Sequence, residues 1–189
     1  MFAHTQWTKP QHKEEGIMHL ARRYVLFPTL TLLALLLTMT AVSAAPPATQ
    51  PRDTQALQGL TSAKAVFMLN VKDARRLSHV LRVIEKTEKG MRAQGVEPQI
   101  VVVFIGPSAA FLTKDRRGIS YMDQRNVAAI QKGIHKLKTL GIRSEVCSVA
   151  LKGMDIAPAD VIPDVTPVGN GFISAIGYQA QGYSLVPVF

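Results

Sequence analysis

Apolar and polar positions alternate in blocks from residue 63 to the end of the chain. KAVFMLNV (64–71) is a short apolar run, and it predicts a β-strand. Over 74–92 the period changes. Leu77, Val80, Leu81, Ile84 and Met91 share one face at helical spacing, while Arg75, Arg82, Lys86, Lys89 and Arg92 lie mostly off it. Asp73 is placed to cap this helix, and Gly90 or Gly95 to stop it. QIVVVFI (99–105) follows, and an unbroken Val/Ile/Phe run is what a strand covered on both faces looks like. Gly106-Pro107 ends it.

The second half repeats the alternation. A polar loop is expected over 111–124, then a helix over 126–140 with Val127, Ile130, Ile134 and Leu137 as its apolar stripe. Asn126 can cap that helix and Gly141 end it. SEVCSVAL (144–151) reads as a third strand, 157–163 as one helical turn, and TPVGN (166–170) as a fourth strand or a loop. GFISAIGYQAQG (171–182) reads as a helix weakened by Gly177, and YSLVPVF (183–189) as a closing strand. Alternating strands and helices imply an α/β fold: a mostly parallel sheet of about five strands, with helices on both faces.

The N-terminus reads differently. Residues 25–42, VLFPTLTLLALLLTMTAV, are uncharged and mostly apolar, with Arg22-Arg23 before them and Val42-Ser43-Ala44 after them. That order describes a signal peptide over 1–44, cleaved between Ala44 and Ala45, and a periplasmic or secreted protein. The run is also long enough to cross a bilayer core of roughly 30 Å, so a membrane anchor is the competing reading. Pro28 and the small-residue exit favour cleavage. Met18 begins a better basic segment, MHLARRY, and is an alternative start. Residues 45–62, APPATQPRDTQALQGLTS, lack the apolar content of a core and are expected to form a flexible linker to a single domain over 63–189.

The 189-residue chain carries a net charge of +9, and loss of 1–44 lowers it by two to +7. Such a balance suits anionic partners, or simply reflects solvated helix faces. Nucleic acid is not expected outside the cytoplasm, and the chain has no recognition motif for it. Neither GxGxxG nor GxxxxGK[ST] occurs, which disfavours a nucleotide and leaves a flavin or small anion open. His79 and His135 stand alone in helices, so no metal site is expected. Ser108 lacks the G-x-S-x-G setting of a nucleophile and reads as a loop or cap residue. Asp155 and Asp160 are too isolated to form a catalytic pair.

Cys147 is the chain's single cysteine. Exported proteins usually pair their cysteines, so a lone thiol either packs as a small apolar group or does chemistry. It falls late in its strand, and α/β sites gather beyond the carboxyl ends of strands. Thiol chemistry needs the thiolate, which nearby cations and helix N-termini favour. Lys152 and the turn near Ala157 are candidate suppliers, whereas Glu145, on the same strand face, opposes it.

Four segments together resemble the DsrE/DsrF-like family, which includes the sulfur-relay proteins of the TusD and DsrE type. They are VVVFIGPSAAFLTKD (101–115), a helix ending LKTLGI (137–142), EVCSVALKGMDIAPADVIPDVTPV (145–168) and AIGYQAQGYSLVPV (175–188). The resemblance covers about 64–189. It implies a three-layer α/β sandwich, and a homo-oligomer or a complex with related subunits. It further implies that Cys147 carries sulfane sulfur as a persulfide, exchanged with a donor or acceptor protein, with no bound cofactor. The resulting expectation is an exported sulfur carrier or sulfurtransferase. The alternative is a non-catalytic binding or assembly module in which Cys147 is structural.

Overall fold

The computed structural model describes residues 51–116 and 119–189. The leader expected over 1–44, its alternative start at Met18 and the linker residues 45–50 lie outside the described residues. β1 (Ser62–Leu69) leads through Asp73, whose carboxylate accepts from Arg76 N–H, into α1 (Ala74–Ala93). β2 (Glu97–Phe104) gives way to a 3₁₀ segment, Gly106–Leu112, and then to α2 (Tyr121–Thr139). β3 (Arg143–Cys147) runs directly into the short helix α3 (Ser148–Lys152), followed by a 3₁₀ turn, Pro158–Asp160. β4 (Thr166–Val168), α4 (Gly171–Ala180) and β5 (Ser184–Val188) complete the chain. Within the segment read as a linker, residues 54–59 form turns. Asp53 and Gln94, at the end of α1, exchange two hydrogen bonds of 2.7 and 3.1 Å.

The sheet is wholly parallel, in the order β4-β3-β2-β1-β5. From β1 to β4 the chain steps in one direction, so right-handed crossovers put α1 and α2 on one face. Between β4 and β5 it returns past β1, and the same handedness puts α4 on the opposite face. The core is divided accordingly. Phe67, Leu69, Val102, Phe104 and Val146 pack against Leu77, Leu81 and Ile84 of α1 and Val127, Ile130, Ile134 and Leu137 of α2. Val66, Val101, Val103, Ile105 and Cys147 face the other way, toward Tyr178 of α4. The expected α/β class, five strands and helices on both faces are all present.

Two boundaries and one buried position differ from expectation. α2 begins at Tyr121, inside the stretch read as loop. Its first turn is solvent-exposed and so carries no apolar stripe, although Asp123 there complements the helix dipole. β3 stops at Cys147 instead of continuing to residue 151. Val149 and Leu151 alternate as a strand would, but the chain coils. Leu151 then enters the core while Val149 stays 61% exposed. A short apolar run does not distinguish the two geometries. On α1, Glu88 occupies a buried position on the apolar face, where Arg92 Nε donates to its carboxylate.

Candidate functional site

The carboxyl ends of the strands converge on one cleft. Asn70 follows β1, Ile105 and Gly106 follow β2, Cys147 ends β3, and Asn170 caps α4 after β4. With Val149, Ala150 and Phe172 these residues enclose about 290 Å³. Ser108, fully buried, fixes two of the loops together: its Oγ accepts from Val71 N–H at 2.7 Å and donates to Val71 C=O at 3.1 Å. Its assignment as a loop residue agrees with this.

Cys147 closes β3, pairs with Val168 of β4 and is the residue from which α3 starts. It is 7% exposed, packed among Val66, Val101, Val103 and Ile105, with its remaining surface on the cleft. The first turn of α4 lies directly over it. A Cβ on Gly171 would stand 3.1 Å from Cys147 Cβ, 2.7 Å from Ile105 Cγ2 and 3.2 Å from Val103 Cγ1, so glycine permits the approach. Asn170 accepts from Phe172 N–H at 2.9 Å through its Oδ1. The cleft thus combines a thiol, the N-terminal end of a helix, two carboxamides and an apolar wall. A helix N-terminus favours an anion beside it.

The cation suppliers expected from the sequence are elsewhere. Neither Lys152 nor the Pro158–Asp160 turn lines the cleft. The element beside the thiol is instead the first turn of α4, and its only sequence signal was the Asn170-Gly171 pair at its start. Glu145 does share the sheet face of Cys147, but it is engaged by Tyr178, whose hydroxyl donates to Glu145 Oε1 at 2.5 Å. Arg143 lies 5.5 Å from the Tyr178 ring centre, and Tyr183 stacks at 5.1 Å in a tilted arrangement. His135 is on the surface, bonded with Lys138 to Asp164; Lys138 first, then His135, lowers the Asp164 carboxyl from its ordinary value. Among the described residues no group of three or more His, Cys, Asp or Glu is placed to hold a metal ion, and no helix is long and apolar enough to cross a membrane.

Burial, reinforced by the Glu145 carboxylate, pushes the Tyr178 hydroxyl up from 10.0 to about 12. The proton is therefore held more tightly in the folded chain than in the unfolded one, so this contribution is intact below pH 10.0 and is lost as pH rises toward about 12. Wild type is expected to lose stability over that interval more steeply than Tyr178→Phe. Denaturant unfolding at stepped alkaline pH checks this, and parallel curves would exclude the coupling.

The architecture and the cleft accompany a clear relationship. The family model described as DsrE/DsrF-like matches residues 39–188. The chain belongs to the DsrE/DsrF-like family. Its fold is similar to that of a protein of unknown function, MTH1491, from Methanobacterium thermoautotrophicum, with a TM-score of 0.53 and 18% identity over 66% of this chain and 98% of that one. The ychN protein from E. coli is also similar, with a TM-score of 0.48 and 16% identity over 67% of this chain and 99% of that one. No curated protein matches the chain. The DsrE/DsrF-like family is in general related to sulfur relay.

Proposed function

We propose that this DsrE/DsrF-like protein carries sulfane sulfur as a persulfide on Cys147 and passes it to a partner thiol. The observation behind the reading is the placement of the chain's single cysteine at the carboxyl end of β3, in a cleft against the first turn of α4. The Cys147 thiolate attacks the sulfane sulfur of a donor persulfide. The Cys147 Sγ–S bond forms, the donor S–S bond breaks, and the donor leaves as a thiol after taking a proton. Delivery to an acceptor thiol reverses these steps, so no net oxidant is consumed. Intact mass after exposure to polysulfide tests the proposal. The expected result is a gain of one sulfur, reversed by reductant; no gain from any sulfane donor overturns it.

A second reading rests on the 7% exposure of Cys147 and its apolar neighbours. In that reading the thiol is a packing element and the domain serves to dock a partner. The outer side of α4 offers a surface for this, since Phe172, Ile173 and Ile176 are all more than half exposed. Self-association through an apolar face is compatible with either reading.

Export and assembly belong to the same proposal. The basic, apolar and small-residue order over 18–44 supports cleavage and a periplasmic or secreted location. Protein recovered from the exported fraction is expected to begin at or close to Ala45 and to scatter light with more than one subunit's mass. Retention of residues 25–42 in membranes, or a strict monomer at micromolar concentration, would oppose the respective parts.

A further inference from the structure

We infer that the outer face of α1 and α2 is a docking surface for an anionic lipid bilayer, built from six cations on two neighbouring helices. The spacing is the same on each helix. Arg75, Arg82 and Lys86 on α1, and Arg125, Lys132 and Lys136 on α2, step by seven and then four residues, which keeps each set in one row. All six are exposed. Packing brings the two rows side by side. A Cβ on Gly133 of α2 would stand 3.4 Å from Leu81 Cβ of α1, so the helices approach closely there. One turn further on, Glu85 of α1 is near enough to Lys136 of α2 to feel its charge. Lys89 Nζ donates to the Glu85 carboxylate at 2.6 Å, and that bond first, with Lys136 adding to it, lowers the carboxyl from its ordinary value. The carboxylate at the seam between the rows is therefore already matched.

Arg75, Lys86, Arg125 and Lys132 have no carboxylate partner among the described residues. Their charge is left for something outside the domain. Charge is also segregated along the chain: residues 165–189, which form β4, α4 and β5, hold no Asp, Glu, Lys or Arg. Shape selects among anionic partners. α1 and α2 have 20 and 19 residues, so each is about 30 Å long, and together they present a broad face with cations along its length. Single-stranded nucleic acid needs aromatic rings interleaved with the cations, and these rows have none. Protein interfaces centre on apolar or aromatic anchors, whereas the large exposed apolar side chains here, Tyr121 and Met122, stand at the end of the rows, one turn before Arg125. Tyrosine at the margin of a basic surface suits the headgroup layer of a bilayer, and four to eight spread cations suit its anionic lipids. The Cys147 cleft lies at the carboxyl ends of the strands and α4 on the opposite face, so docking through α1 and α2 leaves both open. The inference is independent of the persulfide reading.

Residues 51–189 form one compact unit with its own core, so the chain from Ala45, without the apolar run over 25–42, is the protein to test. The experiment is sedimentation with vesicles of phosphatidylcholine alone, and of phosphatidylcholine mixed in equal parts with phosphatidylglycerol. Binding is expected to the anionic vesicles only. It should vanish as salt rises from about 0.1 M to about 1 M, where the screening length shrinks from about 10 Å to about 3 Å. Combined Arg75→Gln, Lys86→Gln and Lys132→Gln should weaken binding about a hundredfold. Combined Lys64→Gln, Arg143→Gln and Lys152→Gln removes the same net charge elsewhere; Lys64 and Arg143 lie over Tyr183 and Tyr178, on the α4 side. That variant should stay within about threefold of wild type. All the substituted side chains are exposed, so both variants should keep the fold, which circular dichroism checks. Poly-L-glutamate serves as a soluble polyanion: tighter binding to it than to anionic vesicles would indicate an acidic protein partner and overturn the inference. Equal weakening by the two triple variants, equal binding to neutral and anionic vesicles, or binding to neither also overturns it and leaves the cations as a solvated surface. None of these outcomes bears on the loading of Cys147 with sulfur.

Discussion

Cys147→Ser is expected to gain no sulfur from any sulfane donor, while the same treatment adds one reducible sulfur to wild type. The effect is all-or-none because the chain has no second cysteine, and methionine thioethers form no reducible persulfide. The variant should remain folded. Cys147 packs among Val66, Val101, Val103 and Ile105, so the serine hydroxyl loses solvation without gaining an obvious partner, at a cost of about 1–3 kcal/mol. Domains are typically stable by roughly 5–15 kcal/mol, which leaves a margin. Cys147→Ala, with no hydroxyl to bury, separates loss of the nucleophile from loss of stability. Intact mass reports the sulfur, and circular dichroism with denaturant unfolding reports the fold. Sulfur addition to folded Cys147→Ser would move the chemistry away from this thiol. Wild-type protein that takes up no sulfur and resists alkylation would leave the docking-module reading.

Gly171→Ala is expected to destabilise the domain and to disturb the site. The new Cβ would sit 2.7 Å from Ile105 Cγ2, 3.1 Å from Cys147 Cβ and 3.2 Å from Val103 Cγ1. Ile105 can rotate its methyl aside, but Cys147 Cβ is fixed to the backbone of β3. The first turn of α4 must therefore lift. Overpacking of this kind costs about 1–3 kcal/mol, and Gly171→Val, with two more carbons, should cost more. Lifting α4 also uncovers the thiol, so alkylation of Cys147 should become faster even as stability falls. Gly177, on the same helix, has open space where its Cβ would be, and Gly177→Ala should be neutral or mildly stabilising. Denaturant titration and timed alkylation check both variants. Equal stability of Gly171→Ala and wild type would show that α4 does not press on β3 as described.

Much of the fold was legible because burial imposes periodicity. The α2 stripe of Val127, Ile130, Ile134 and Leu137 is wholly buried, and the Val/Ile/Phe run of β2 lies at the centre of the sheet, covered on both faces. The expected cap Asp73 marks a true helix start, because its side-chain oxygen accepts from Arg76 N–H, whereas Asn126, also read as a cap, lies inside α2, which begins at Tyr121. Alternating strands and helices fixed the α/β class and the side of the sheet where sites collect. Where burial was absent the pattern failed: the exposed first turn of α2 gave no stripe, and the short Val149–Leu151 run fitted either strand or helix.

The sequence by itself singled out Cys147 and placed it near the carboxyl end of a strand. Tertiary structure decided what surrounds it. Strand order brings the ends of β1, β2 and β3 beside the start of α4, so Asn70, Gly106, Cys147 and Asn170 become neighbours although up to 100 residues separate them. It also removed Lys152 from the site and paired Glu145 with Tyr178. Local patterns report how each segment meets solvent or core. Which segments meet one another is set by crossover handedness and strand order, and neither is written in any single stretch of residues.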